Sequence, residues 1–485
     1  MTLSGLIALI IFFAAIFASL KGWISQKLFP MQVALLLASA IIIITGLALG
    51  EKINPSQIIT GTFLHPITAT IAGFILAGAL KSAGAFEAAS GWIQKLQNSF
   101  LGVPFAVIVL INIPTLLAMP CGRVWVSPLI PVALTLGFEL ARKSEDKRMP
   151  VIIISGLVIN AAASCGPSLI GGIGLIGEGM GRYPSGSFSD HMQFAIMFMT
   201  SFAMILSKYL YNETVSERMY DLQSIGEKQE PLEHGAFSLV LFISVIVGTI
   251  IIKPAMPVQT ILIITTFLIM IIAGLGFDDL VRGIILHPLT AMISGFIAAG
   301  TLSMFGGFDV LVYVLGYISE HTPLGYVGVS ILLVYLPVFL PLPCGRIIAV
   351  SLIPGVLMFG EHVAQMAGSI RIQEVMIVCF ILSGAASCGP SPLGGIGSIG
   401  EGRLRLKSST GRFLSLSIFM AVPIAGFSVG VLGLSAETLS KGFLIEAVIT
   451  GLISGLVTNF LTVKKIFHPG GLIGGLIVSL LMLVL

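Results

Sequence analysis

The sequence predicts an all-α polytopic membrane protein built from two inverted-topology repeats, each with a re-entrant hairpin and a broken helix. Three observations carry this. Hydrophobic residues make up 56% of the 485 and charged residues only 10%, against about 25% charged in a soluble domain. The near-uncharged stretches 100–117, 236–252 and 259–275 approach the roughly 20 residues that cross a bilayer. Lastly, the chain repeats itself at a near-constant offset.

The repeat is read from four blocks. Leu64-His65-Pro66-Ile67-Thr68-Ala69 returns as Leu286-His287-Pro288-Leu289-Thr290-Ala291, and Pro120-Cys121-Gly122-Arg123 as Pro343-Cys344-Gly345-Arg346. Ala163-Ser164-Cys165-Gly166-Pro167-Ser168 returns as Ala386-Ser387-Cys388-Gly389-Pro390-Ser391. Gly171-Gly172-Ile173-Gly174 and Gly177-Glu178-Gly179 return as Gly394-Gly395-Ile396-Gly397 and Gly400-Glu401-Gly402. The offset is 222 for the histidines and 223 for the other blocks. This divides the chain into a first repeat over 1–222, whose end (211–234) is a polar cytoplasmic linker, a second over 235–440, and a C-terminal tail over 441–485 with one or two further spans.

Each repeat has the same order of parts. In the first these are spans at 3–20, 31–49 and 64–82, an amphipathic stretch at 86–97, an apolar pair around Pro120–Arg123, a span at 150–164 running into a Gly-rich stretch, and a last span at 188–209. Whether the apolar pair is two crossings or one hairpin, each repeat crosses an odd number of times, so the second is inverted. Inverted repeats with interrupted helices belong to secondary transporters. With the N-terminus outside, 18 of the 25 Lys and Arg fall in cytoplasmic segments and 5 outside, the remaining two being Arg123 and Arg346. That follows the positive-inside rule and predicts a multi-pass protein of the cell's inner membrane. The first 20 residues have no basic n-region and no clear cleavage site, so they are expected to stay as span 1.

Composition also narrows the chemistry. A net charge of +3 without a basic cluster gives no ground for a nucleic-acid partner. The five cysteines, Cys121, Cys165, Cys344, Cys379 and Cys388, lie in apolar or Gly-rich sequence and read as reduced thiols packed as small residues. No ATP-binding motif, metal cluster or cofactor site is predicted, and the chain is not expected to be an enzyme.

Two elements carry the candidate substrate site. Arg123 and Arg346 sit in apolar sequence behind helix-breaking Pro-Cys-Gly. A cation at membrane depth costs at least about 2.5 kcal/mol on insertion scales, so it faces a polar cavity or a partner. The tips Cys121-Gly122-Arg123 and Cys344-Gly345-Arg346 therefore either present guanidinium to an anion or hold a structural ion pair, for example Arg123 with Glu178. The stretches Ser164, Cys165, Gly166, Pro167, Ser168, Gly171, Gly172 and Ser387, Cys388, Gly389, Pro390, Ser391, Gly394, Gly395 contain too much Gly and Pro for continuous helix. The first is expected to unwind near Gly166 and resume around Ile173. Amides at the new helix start favour an anion, freed carbonyls a cation. The other reading is close helix packing. Glu178 and Glu401 are the matched acids, either carrying a coupling proton or capping and pairing with Arg182 and Arg403. His65 and His287, each before Pro, are either coupling residues or helix-start residues. Asn112, Asn160, Ser127 and Ser351 are supporting polar groups.

This order of parts, duplicated and inverted, resembles the ion transporter superfamily, which includes divalent anion:sodium symporters, citrate and gluconate transporters, and arsenite and sodium/proton antiporters. Residues 162–168 and their copy look like its broken-helix segment, and 117–129 and 340–352 like its hairpin tips. Sodium-coupled dicarboxylate members carry Ser-Asn-Thr at both tips, whereas this chain carries Cys-Gly-Arg. That disfavours sodium there and favours a small anion. The resemblance implies a homodimer and coupling to H+ or Na+. The function expected is ion-coupled or exchanging transport of a small anion, an organic carboxylate, by alternating access. The alternative on the same scaffold is a cation/proton antiporter, which wants acids near the midplane.

Overall fold

A computed structural model describes residues 2–484 apart from 22–29, 55–64, 98, 117–122, 168–171, 185, 211–233, 253–257, 284–285, 341–345, 390–409, 435–439 and 463–467. Among the described residues there is no strand. The linker 211–234 lies outside them except for His234.

The first half of the chain contains α1 (Leu3–Leu20), α2 (Pro30–Ala48), α3 (His65–Ser82), α4 (Ala85–Gln97), α5 (Gly102–Leu116), α6 (Arg123–Ser144), α7 (Met149–Ala163), α8 (Ile173–Gly181) and α9 (Ser187–Leu210). The second contains α10 (Gly235–Ile252), α11 (Val258–Ala273), α12 (Phe277–Gly283), α13 (Leu286–Met304), α14 (Gly307–His321), α15 (Gly325–Phe339), α16 (Arg346–Ala367), α17 (Arg371–Ala386) and α18 (Thr410–Leu432). The tail forms two helices, α19 (Lys441–Thr462) and α20 (Pro469–Val484). Several of these helices are apolar and long enough to span a membrane. Helix α15 has 15 residues, or about 22 Å at 1.5 Å per residue. That is short of a hydrocarbon core of about 30 Å.

Local chemistry sets the ends and bends. Thr2 caps α1, its Oγ1 accepting from Gly5 N at 3.2 Å. Helices α3 and α4 meet at 70°, α13 and α14 at 79°. The corners hold Gly84 at φ +80° and Gly306 at φ +73°, a left-handed conformation that favours glycine. Each corner receives the start of a helix from the other half. A Cβ on Gly5 would stand 2.6 Å from Gly306 O, and one on Gly235 2.3 Å from Gly84 O.

The packing follows the same exchange. Helix α1 packs on α14 and α10 on α4, α2 packs on α13 and α11 on α3. Within the halves α7 packs on α5, α6 and α9, and α17 on α15, α16 and α18. The halves meet through α7 on α17 and α9 on α18. The tail breaks the symmetry, because α19 and α20 cover α5 and α9 of the first half. They join through small residues. A Cβ on Gly451 would meet Ser479 Oγ at 2.4 Å, one on Gly455 Gly471 O at 2.6 Å, and one on Gly475 Gly451 O at 2.1 Å. Without a hydrophobic drive between helices in lipid, such backbone approach supplies the packing.

At the α6–α7 turn, Arg148 donates to Asp146 Oδ1 at 2.8 Å and to Lys208 O at 2.6 Å. This ties the turn to the end of α9. The guanidinium holds the Asp146 carboxyl below its usual value.

Two predictions follow from this packing. Gly475→Ala forces the α19–α20 pair apart and costs about 1–3 kcal/mol, read as a lower melting temperature in detergent. Because Asp146 is depressed when folded, its contribution is present at neutral pH and lost as pH falls below about 4. Asp146→Asn should cost at most about 1 kcal/mol at pH 7 and flatten the acid side of the stability profile.

Candidate functional site

Helix α7 ends at Ala163 and α8 starts at Ile173, where the Gly/Pro pattern places the break. Backbone polar groups released inside a membrane protein need partners, and several can be followed at the described residues 164–167 and 172–174. Ser164 N donates to Asn160 O and Ser164 Oγ to Ala161 O, both at 2.8 Å. Gly166 N donates to Ala163 O at 2.8 Å. Ile173 N donates to Cys165 O at 2.8 Å and Gly174 N to Gly166 O at 2.9 Å. Ser189 on α9 donates to Pro167 O. Among the described residues, the carbonyls of Ala161, Ala163, Cys165, Gly166 and Pro167, expected to be released toward a cation, are thus taken by the chain itself. So are two of the amides at the start of α8 that were expected to face an anion. Gly172 precedes α8 in extended conformation, with ψ 178°.

The second break begins in the same way. Ser387 N donates to Ser383 O at 3.0 Å, Ser387 Oγ to Gly384 O at 2.9 Å, and Gly389 N to Ala386 O at 2.9 Å. The two breaks touch reciprocally. Cys165 Sγ donates to Ala162 O at 3.3 Å in its own half and lies 3.9 Å from Ala385 O in the other. Cys388 Sγ donates to Ala385 O at 3.3 Å and lies 3.8 Å from Ala162 O. A Cβ on Gly166 would stand 3.2 Å from Ala385 Cβ, and one on Gly389 3.1 Å from Ala162 Cβ. Exchanging the halves maps this contact onto itself. Cys165, Cys379 and Cys388 are buried thiols outside any disulfide.

One turn before the first break lies a buried amide network. Asn160 Nδ2 donates to Asn112 Oδ1 and to Thr200 Oγ1, both at 3.1 Å. Its Oδ1 accepts from Thr115 Oγ1 at 2.8 Å and Thr115 N at 3.2 Å. Pro114 precedes Thr115 inside α5, and a proline disturbs the helix ladder at this point. Asn160 thus ties the end of α5, which leads to the first tip, to α7 and α9. Asn112 and Asn160 were legible as polar residues in apolar sequence, whereas Thr115 and Thr200 were not, since threonines in apolar helices commonly bond their own backbone. In the second half position 383 is serine, so the network has no copy. Ser351 donates to Ile347 O at 2.6 Å and Gly295 O at 3.3 Å, linking α16 to α13.

Glu178 is 3% exposed. Its Oε2 accepts from Gly186 N and its Oε1 from Phe188 N, both at 2.8 Å. The carboxylate caps the start of α9, where a negative charge meets the positive end of the helix. Of the two readings for Glu178, the geometry displays the cap.

Arg123 and Arg346 open α6 and α16; His65 opens α3, and His287 lies in the first turn of α13. The side chains of these four, and of Ser127, lie outside the described residues. So do Cys121, Gly122, Ser168, Gly171, Cys344, Gly345, Pro390, Ser391, Gly394, Gly395 and Glu401. The described part of the candidate site is therefore Ser164, Cys165, Gly166, Pro167, Gly172, Ser387, Cys388 and Gly389. No protein-family model matches the chain, and no curated protein matches it.

The network yields a prediction. Asn160→Leu leaves the Thr115 amide and the Asn112 and Thr200 groups without their partner. It should cost about 1–3 kcal/mol, read in detergent melting, with Thr200→Ala costing less.

Proposed function

We propose that the chain is a secondary active transporter of a small anion, an organic carboxylate, working by alternating access between two inverted repeats of the ion transporter superfamily type. The observation that carries this is the reciprocal contact of the ends of α7 and α17, Cys165 with Ala385 and Cys388 with Ala162. Two breaks that meet across the halves favour a site shared by both. The repeated Cys-Gly-Arg tips support an anionic substrate. Arg123 and Arg346 clasp it from opposite faces, with hydroxyls and amides of the Gly-rich stretches beside them. The anion neutralises the arginines, which lowers the cost of carrying them through the bilayer.

In this reading the protein lies in the inner membrane with its N-terminus outside and works as a homodimer. The self-paired carbonyls of Ala163, Cys165, Gly166 and Pro167 weigh against a cation held by them. Glu178 has its carboxylate committed to α9, which weakens the case for a cation/proton antiporter.

The test is uptake in proteoliposomes, with radiolabelled mono-, di- and tricarboxylates and sulfate under imposed proton and sodium gradients. One anion is expected to accumulate, and Arg123→Ala and Arg346→Ala should each abolish its uptake. Because each truncation removes a charge-assisted contact worth about 1.5–3 kcal/mol, Arg123→Lys should retain more uptake than Arg123→Ala. Wild-type uptake in the double alanine variant would overturn the reading. So would silence across the panel with a sodium-dependent pH change inside the vesicles.

A further inference from the structure

A buried hydrogen-bond chain joins the last helix of each half to the C-terminal pair. His191 on α9 is 1% exposed and Ser428 on α18 3%. His191 Nδ1 lies 2.8 Å from Ser428 Oγ, and His191 Nε2 3.2 Å from Gly433 O just past α18. Ser428 Oγ lies 2.8 Å from Glu446 Oε2 on α19. The Phe443 ring covers the imidazole, its centroid 4.9 Å away. Three elements 237 and 18 positions apart in sequence thus converge on one serine.

Counting hydrogens shows what the chain holds. A carbonyl only accepts, so His191 Nε2 carries a proton to bond Gly433 O. The serine hydroxyl has one proton and donates to one neighbour. If it donates to a Glu446 carboxylate, Nδ1 must donate to the serine, and His191 is an imidazolium. If it donates to Nδ1, Glu446 must be a carboxylic acid donating to the serine, and His191 is neutral. The two arrangements hold the same number of protons. They interconvert by two hops, Glu446 to Ser428 and Ser428 to His191. Either holds one proton more than a carboxylate beside a neutral imidazole. Loss of that proton breaks one of the three bonds and leaves an uncompensated charge in a poorly solvated place, which is costly.

The surroundings do little to replace it. Helices α5, α7 and α20 carry no charged or histidine side chain. From α17, Arg371 donates to Gly430 O at 2.9 Å and Val431 O at 2.8 Å, beside Gly433, and Glu374 lies one turn further on. From α8 come Glu178, bound to the amides of α9, and Arg182, with Tyr183 just beyond. From α15 come Tyr326 and Tyr335, the latter donating to Phe419 O. Lys441 opens α19, and Asp190 precedes His191 in sequence.

We propose that Glu446, Ser428 and His191 form a proton-binding site, entered at the half-buried Glu446, and that this proton is the coupling ion. The proposal rests on the transport reading above and names its ion. Protonation completes the contact between α9, α18 and α19, and deprotonation opens it. The charge state of the site is thereby linked to how the last helices of the two halves sit together.

Two measurements on the full-length protein in liposomes test this. The first needs no substrate. The pH-difference infrared spectrum of wild type should contain a carboxylic-acid band that disappears in Glu446→Gln and shifts in His191→Gln and Ser428→Ala. A spectrum unchanged by Glu446→Gln, or a Glu446 band unmoved by both other substitutions, overturns the proposal. The second compares pH-driven uptake with substrate counterflow, which needs no gradient. In Glu446→Gln the ratio of the two should fall about tenfold or more, as for loss of a positioned proton-transfer group, and Glu446→Asp should restore part of it. Parallel loss of both in Glu446→Gln and Glu446→Asp, leaving the ratio unchanged, marks a structural role and overturns it. Absence of any flux in wild type with the infrared bands as expected would instead overturn the transport reading and leave the proton site standing.

Discussion

In the hydrocarbon of a bilayer a backbone amide or carbonyl finds no water, so a helix can be broken there only where the protein, or a polar cavity it lines, supplies the partners. At residues 160–167 and 172–174 many of these partners are supplied by the chain itself. Ser164, Gly166, Ile173, Gly174 and Ser189 serve the carbonyls of the last turn of α7 and the residues after it. The consequence reaches beyond the loop. With the carbonyls of the last turn of α7 satisfied locally and only a hydrogen at its side-chain position, Gly166 can lie against Ala385. A side chain at Gly166 would push the halves apart at their point of contact.

The same economy recurs at the corners and in the tail. Gly84 and Gly306 turn the chain where no other residue turns without strain, and each corner seats the first turn of a helix from the opposite half. The halves therefore hold one another at their rims as well as at the centre. The tail packs mainly on α5 and α9 of the first half and meets the second through Glu446 on Ser428, while Gly451, Gly455, Gly471 and Gly475 join α19 to α20. The asymmetry has a chemical side, since Asn160 has a full set of partners in the first half while position 383 is serine.

A charge in such a frame must be balanced locally. Glu178 is balanced by amides at the start of α9, and Arg371 by carbonyls at the end of α18. These are helix ends used as counter-charges, which cost no ionisable partner. The chain of Glu446, Ser428 and His191 differs, because its balance depends on where one proton sits. For Arg123 and Arg346 the proposed counter-charge is the substrate, so an anion and a proton would each neutralise a different part of the same molecule.

Composition and spacing by themselves determined the helical class, the apolar spans and the place where α7 gives way to α8. These are local consequences of side-chain polarity and of Gly and Pro geometry. The duplicated blocks were legible for the same reason, since a copied break needs the same small residues. Tertiary structure alone decided which groups meet. Glu178 stood between a coupling and a capping reading until the start of α9 was seen to fall on its oxygens. The pairing of the tail glycines was hidden because a glycine contact shows only in the backbone brought against it. His191 and Glu446 were visible as isolated ionisable residues in apolar helices, yet nothing local links positions 191, 428 and 446. Their contact is a property of the packed bundle, since a hydrogen bond a few ångströms long between residues far apart in sequence exists only once the helices that carry them have met.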